Sequence, residues 1–243
     1  MSRKVVLITG GSRGIGAAAA RLLSAEGWAV AVNYRADTAA ALATVATIEA
    51  AGGEAFAVKA DTGSASDIAA MFKAVDAKWG RLDALVNNAG VVGPRGPFDA
   101  VALDEMERVL RVNVIGYMLC AQAALPRLIR AGGGSIVNVS SGSATSGGAG
   151  ETVLYAASKG AVNSLGIGLS QEFARLGVRV NTVSPGLTRT DMPPVEKLAG
   201  QGGGIPMGRV GEAEEVAQGI VWLLSDKASY TAGANLRISG GRP

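Results

Sequence analysis

The sequence predicts an α/β protein: one doubly wound parallel sheet of about seven strands with helices on both faces. Three observations carry that expectation. Short β-branched apolar runs alternate with longer helical patterns, several of those runs are apolar on both faces, and no linker divides the chain. Alternation of this kind implies parallel strands joined by crossover helices. A strand covered by helices on each side needs no polar face. The strands are expected at Val5–Thr9, Ala29–Asn33, Ala55–Ala60, Ala84–Asn87, Ser135–Ser140, Val178–Ser184 and Asn235–Ser239. Helices are expected over 14–26, 38–51, 66–79, 104–131, 154–176 and 212–225. Right-handed crossovers then gather the strand C-termini along one edge, where ligands bind. The glycine clusters at 132–134, 142–150 and 200–204 read as loops within a single domain spanning residues 1–243.

Composition narrows the chemistry. The chain has 243 residues, 48% of them hydrophobic, with a net charge of +3. Its basic residues are scattered rather than clustered with aromatics, so no nucleic-acid partner is expected. No apolar run is expected to span a bilayer, and no signal-peptide pattern precedes the first strand, which predicts a cytoplasmic protein without a membrane partner. The absence of histidine excludes a Ser–His–Asp triad and any histidine-ligated metal. The single cysteine, Cys120, lies in an apolar stretch and suits a buried thiol; no metal site is expected. Acid–base work falls to Tyr, Lys, Asp, Glu or a cofactor.

After the first strand comes Thr9-Gly10-Gly11-Ser12-Arg13-Gly14-Ile15-Gly16. Gly10 can take the tight turn, Gly14 lets backbone approach a phosphate, and Gly16 lets the helix pack near the strand. The helix N-terminus then offers N–H groups and partial positive charge to a pyrophosphate. This is a Rossmann-type dinucleotide loop, with an ordinary glycine-rich turn as the competing reading. An NAD site usually ends its second strand with a carboxylate for the ribose 2′-hydroxyl. Here the strand ends Val32-Asn33-Tyr34-Arg35, with no carboxylate until Asp37. Arg35 and Arg13 could grip a 2′-phosphate between them, which favours NADP(H), with NAD(H) possible. Both arginines as plain surface residues is the bland alternative.

Tyr155 and Lys159 lie four residues apart, about one helical turn, so the ammonium can reach the phenol. A tyrosine with a pKa near 10 is a poor catalyst at neutral pH, and a nearby positive charge is the simplest way to lower it.

Taken in order, these motifs resemble the short-chain dehydrogenase/reductase family over essentially the whole chain. The resemblance rests on Thr9–Gly16, Asp61 after the third strand, Asn87-Asn88-Ala89-Gly90 after the fourth and Asn113 in the long helical region. It continues through Ser141 after the fifth strand, Tyr155 with Lys159, and Pro185-Gly186 after the sixth. The nearest flavour is that of glucose/sugar dehydrogenase-like and 3-oxoacyl-acyl-carrier-protein reductase-like members. The resemblance implies hydride transfer between a nicotinamide and a carbonyl or secondary alcohol. It makes Tyr155 the proton donor or acceptor, and has Lys159 lower its pKa and hold ribose hydroxyls. It has Ser141 orient the substrate oxygen and Asn113 help hold a water behind Lys159. Asp61 and Thr62 would face the adenine, Asn88, Ala89 and Gly90 the ribose side, and Thr188 the carboxamide. Ser140 rivals Ser141, because neighbours on a strand point to opposite faces and only one can serve. Asn113 as a satisfied core amide is likewise open.

The resemblance also implies a homotetramer, or a homodimer, paired through the helices at 104–131 and 154–176, whose Val109, Val112, Leu119, Ala123, Leu165, Leu169 and Phe173 recur at helical spacing. Residues 188–211, rich in glycine and proline, read as a substrate lid. The rival functions are an NAD-preferring sugar or polyol dehydrogenase and a catalytically silent dinucleotide-sensing protein.

Overall fold

The computed structural model describes residues 3–193 and 204–242. Seven strands, β1 (Val5–Ile8), β2 (Ala29–Tyr34), β3 (Glu54–Lys59), β4 (Ala84–Asn87), β5 (Gly134–Val139), β6 (Val178–Pro185) and a C-terminal strand, Asn235–Ile238, form one sheet. The order is β3-β2-β1-β4-β5-β6 with the C-terminal strand at the edge, and all pairings are parallel. The expected seven-stranded parallel sheet is therefore observed. The chain winds outward from β1 to β3, then returns to place β4 beside β1. That reversal opens a crevice at the C-terminal ends of β1 and β4.

The strands are apolar on both sides because both sides are covered. In β1, Val6 and Ile8 face one core cluster while Val5 and Leu7 face the other. The first cluster is closed by α1 (Gly14–Ala25), α2 (Thr38–Ala50) and a late helix, Ala213–Leu224; the second by α3 (Ala65–Trp79) and the helix ending at Arg130. Each fully buried Val, Leu or Ile contributes about 1.5–3 kcal/mol against exposure.

The long helix expected at 104–131 is present but not regular. It runs as α4 (Leu103–Leu110), a π-helical turn at Arg111–Ile115, and α5 (Gly116–Arg130). Its 28 residues are long and apolar enough to cross a membrane, contrary to the sequence expectation. The apolar character has a different cause. Cys120, Ala121, Ala124, Leu125 and Leu128 are packed into the core beneath the sheet, and Arg111, Arg127 and Arg130 punctuate the rest.

The loop at 142–150 contains a short helical turn, α6 (Ser143–Ser146), before α7 (Val153–Phe173) begins. Of the proposed lid, Thr188–Arg189 (β7) pairs in parallel with Gly211–Glu212 (β8), which leads into α8 (Ala213–Leu224) and then β9 (Asn235–Ile238). Residues 194–203 of that lid lie outside the described residues.

Candidate active site

The crevice at the strand ends is a cleft of about 1280 Å³. It is lined by Gly10, Ser12, Arg13, Gly14 and Ile15 at one end and by Ser141, Tyr155 and Lys159 at the other. Tyr34, Arg35, Asp61, Thr62, Asn88, Ala89, Gly90, Pro185, Gly186 and Thr188 line the span between. Gly16 and Asn113, the two remaining candidates, lie behind the wall.

The glycine loop is clamped from two neighbouring strands. Asn88 donates from its side-chain amide to the carbonyls of Thr9 (2.9 Å) and Gly10 (3.0 Å). Asn33 accepts from the Gly10 N–H (3.1 Å) and donates to the carbonyls of Val58 (3.2 Å) and Ala60 (3.1 Å). Asn33 was not singled out from sequence; a buried amide at the end of an otherwise apolar strand is the signal that could have marked it. Gly14 has φ +52°, a conformation that favours glycine. A Cβ on Gly16 would collide with the Gly10 carbonyl, so this helix turn can lie against the loop only as glycine. No side chain caps the first turn of α1. A dinucleotide's pyrophosphate fits this cradle, with Gly10 to Gly16 as its seat.

The two arginines stand at the mouth, but with carboxylates nearby. Arg13 Nη1 is 3.4 Å from Asp191 and 3.9 Å from Asp37; Arg35 Nη1 is 4.0 Å from Asp61. The expectation of two cations without an opposing carboxylate is corrected on this point, because the fold brings Asp37, Asp61 and Asp191 to the same rim. Asp37 also caps α2 by accepting from the Ala40 N–H (2.9 Å), and Asp61 Oδ1 accepts from the Gly63 N–H (2.8 Å). These surface pairs are long and solvated, and each contributes little on its own.

At the far end, Lys159 is 2% exposed. Its Nζ donates to the Val139 carbonyl (2.7 Å) and to the Tyr117 hydroxyl (3.1 Å), and lies 5.8 Å from the Tyr155 ring centre. Burial lowers its pKa to about 7. Burial also raises the Tyr155 phenol above its ordinary value, with the Ser141 hydroxyl and the Arg95 charge pulling it back. Burial thus pushes the pair toward a neutral phenol and a partly discharged amine. The expected lowering of the Tyr155 pKa by Lys159 is opposed by the burial of the phenol, the larger effect on this group.

Ser140 and Ser141, just past the end of β5, have different surroundings. Ser140 is buried and its hydroxyl donates to the Lys159 carbonyl (2.9 Å), fixing α7 to the sheet. The Ser141 hydroxyl accepts from the Ser143 N–H (3.1 Å) and lines the cleft beside Tyr155.

Asn113 sits in the π-helical turn, fully buried. Its side chain accepts from the Val91 N–H (2.9 Å) and donates to the Val91 carbonyl (2.8 Å) and Ser158 Oγ (3.0 Å). It pins the strand-four loop to α7, as a satisfied amide does. Thr188 donates its hydroxyl to the Gly186 carbonyl (3.0 Å). Thr190, which sequence reasoning passed over, also lines the cleft, and its side chain is what a Cβ on Gly14 would meet. Arg95 and Glu151, an ion pair of 3.4 Å at the Tyr155 end, were also missed; they come from loops with no motif around them. Cys120 is buried, and burial pushes its thiol up to about 12, which leaves it inert.

Comparison with known proteins agrees with this geometry. The family described as enoyl-(acyl carrier protein) reductase matches residues 10–242. An uncharacterised oxidoreductase of Escherichia coli (strain K12) is 47% identical over 98% of this chain and 99% of its own. A 3-oxoacyl-[acyl-carrier-protein] reductase of Staphylococcus aureus (strain Mu50) is 36% identical over 98% and 97%. A short-chain dehydrogenase of Burkholderia cenocepacia, solved in complex with NADP, superposes with a TM-score of 0.93 at 37% identity over 98% and 97%. With a parallel seven-stranded sheet, a glycine cradle at its reversal point and full-length similarity to such oxidoreductases, the chain belongs to the short-chain dehydrogenase/reductase family.

Proposed function

We propose that this oxidoreductase interconverts a carbonyl compound and a secondary alcohol with NADP(H), using Tyr155 as the proton donor or acceptor. The observation that carries the reading is the placement of Ser141 and Tyr155 side by side in the same cleft as the glycine cradle. When bound, the dinucleotide supplies the hydride. The chain's own residues do the rest. Ser141 and Tyr155 present two hydroxyls to one substrate oxygen, where negative charge develops during reduction. Tyr155 gives up its proton from Oη; burial holds the phenol protonated, while the Ser141 hydroxyl and the Arg95 charge oppose that shift and favour release of the proton. Lys159 stabilises the phenolate that remains and offers an N–H to the cofactor's ribose hydroxyls. Asn113 holds the loop at Val91 that forms this wall. Asp61 and Thr62 would face the adenine, Asn88 to Gly90 the ribose side, and Thr188 the carboxamide.

The experiment is to follow NADPH absorbance against a panel of β-ketoacyl thioesters, diketones, quinones and sugar-derived ketones, with NADH in parallel. Turnover on one carbonyl class supports the reading. Binding of NADPH with no turnover on any of them would favour the dinucleotide-sensing alternative.

The preference for NADP(H) is drawn from Arg13 and Arg35, and from the NADP in the Burkholderia structure. A second reading, NAD(H) with a sugar or polyol, draws on the carboxylates of Asp37, Asp61 and Asp191 at the same rim. The double variant Arg13→Ala/Arg35→Ala separates them. Each charge-assisted bond to a phosphate is worth about 1.5–3 kcal/mol, so NADPH is expected to bind at least about tenfold more weakly. NADH binding should stay nearly constant. Equal weakening of both cofactors in a fluorescence titration would remove the 2′-phosphate role.

Self-association as a homotetramer, or a homodimer, belongs to the same reading. The residues expected to pair across the interface are largely core: Val109 and Val112 are buried, and Leu119, Ala123, Leu169 and Phe173 pack against the second cluster. The apolar side chains left exposed on the same helices are Leu103, Leu110, Ile115, Met118, Ile129 and Ile167, a surface suited to a second copy. Sedimentation of the purified protein tests this. A cytoplasmic setting also belongs here, since turnover needs the cell's NADP(H) pool.

A further inference from the structure

Tyr155 and Lys159 have a third neighbour that no motif marks. Tyr117 lies one turn beyond Asn113 on α5 and is 1% exposed. Its hydroxyl donates to the Val139 carbonyl (3.0 Å) and accepts from Lys159 Nζ (3.1 Å). The same ammonium donates to the Val139 carbonyl (2.7 Å) and stands 4.8 Å from the Tyr117 ring centre. An ammonium has three N–H donors. Two are directed at Val139 and Tyr117, which leaves one for the cleft that Lys159 lines.

We propose that Tyr117 is a positioning residue for the acid–base step: its hydroxyl holds the Lys159 ammonium, aims the remaining N–H into the cleft, and favours the charged form of the amine. The inference rests on the roles given above to Tyr155 and Lys159. A phenylalanine would fill the same space, so packing does not call for the hydroxyl. A buried ammonium does call for it, because an acceptor on the charged form opposes the depression that burial imposes. Tyr117 itself stays neutral, since burial and the neighbouring Tyr155 both push its pKa up. The titratable groups around Lys159 are Tyr117 from α5 and Tyr155 from α7, with Cys120 beside Tyr117 and Arg95 acting on Tyr155 from the loop after β4. Burial is the cause that shifts Lys159, and among the described residues no carboxylate offsets it.

The test is Tyr117→Phe, which keeps the ring and removes the hydroxyl. With a substrate found in the panel, kcat for reduction is measured from pH 5.5 to 9. Loss of one acceptor makes the amine discharge earlier, so the alkaline decline is expected to move to lower pH by about one unit, with kcat near neutrality down about tenfold. NADPH affinity measured at pH 6 should change little. An unmoved pH profile would overturn the proposal, even if the melting temperature fell, because a packing role alone leaves the profile in place. Tyr117→Met, also without a hydroxyl, serves the same comparison if the first variant does not fold. Tyr155→Phe run in parallel separates the two readings. If Tyr155→Phe retains turnover, the parent mechanism fails; if it is inactive while Tyr117→Phe behaves as wild type, only the positioning role fails.

Discussion

Tyr155→Phe is expected to lower kcat for carbonyl reduction by about 10²–10⁴-fold, the range supplied by a positioned general acid. The variant removes one oxygen and keeps the ring. The surroundings explain why the loss should be this large. Ser141 can still donate to the substrate oxygen, but its hydroxyl is a far weaker acid than a phenol. Lys159 has two of its donors committed to Val139 and Tyr117, and the third N–H is assigned above to the cofactor's ribose hydroxyls. No histidine exists anywhere in the chain to take over. NADPH affinity should change by no more than about tenfold, because a single neutral hydrogen bond is worth about 0.5–1.5 kcal/mol. The measurement is a single-turnover rate beside a fluorescence titration of the cofactor. Wild-type turnover in the Phe variant would remove Tyr155 from the mechanism.

How much of this was legible in the sequence follows from what each kind of residue has to do. The seven strands were readable because a parallel strand buried on both faces admits little except apolar residues, and β1 as Val-Val-Leu-Ile shows the pattern plainly. The glycine cradle was readable because Gly14 needs a conformation that other residues avoid, and Gly16 has no room for a side chain. What the sequence withheld came from long-range geometry. Asp191 meets Arg13 from a segment far along the chain, and Asp61 approaches Arg35 from the end of the neighbouring strand. The π-helical turn at Arg111–Ile115 left no mark, since its residues suit an α-helix equally well. Tyr117 was readable in principle. It falls at helical spacing from Asn113, and a tyrosine in an otherwise apolar core stretch needs a hydrogen-bond partner. The direction of the Tyr155 shift required the burial of the cleft, which no spacing reveals.

Lys159→Met is expected to abolish most turnover and yet to raise the thermal stability of the cofactor-free protein. The two effects share one cause. Burial lowers the lysine to about 7 in the folded chain, against about 10.4 for an unperturbed lysine. Below about pH 7 the amine is charged in both states, and the folded state bears the whole desolvation penalty. Between about 7 and 10.4 the unfolded chain binds more protons, so wild-type stability rises with pH across that window. At about 1.4 kcal/mol per pKa unit, the penalty has an upper limit on the order of 4–5 kcal/mol. The lost hydrogen bonds to Val139 and Tyr117 offset about 2 kcal/mol of it. The Val139 carbonyl keeps the Tyr117 hydroxyl as a donor, so methionine orphans no backbone group. A net gain of about 2–3 kcal/mol corresponds to roughly 4–12 °C in a chain of this size. The gain should be largest at pH 6 and fade toward pH 10. Reduction by the wild type should show the complementary trend, with kcat falling as pH rises through the lysine's titration, where the charge that steadies the Tyr155 phenolate is lost. Calorimetry of the variant at pH 6 and pH 9 decides the matter: a lower melting temperature at pH 6 would mean that the buried amine stabilises the empty fold, and that no stability is given up to keep a lysine in this position.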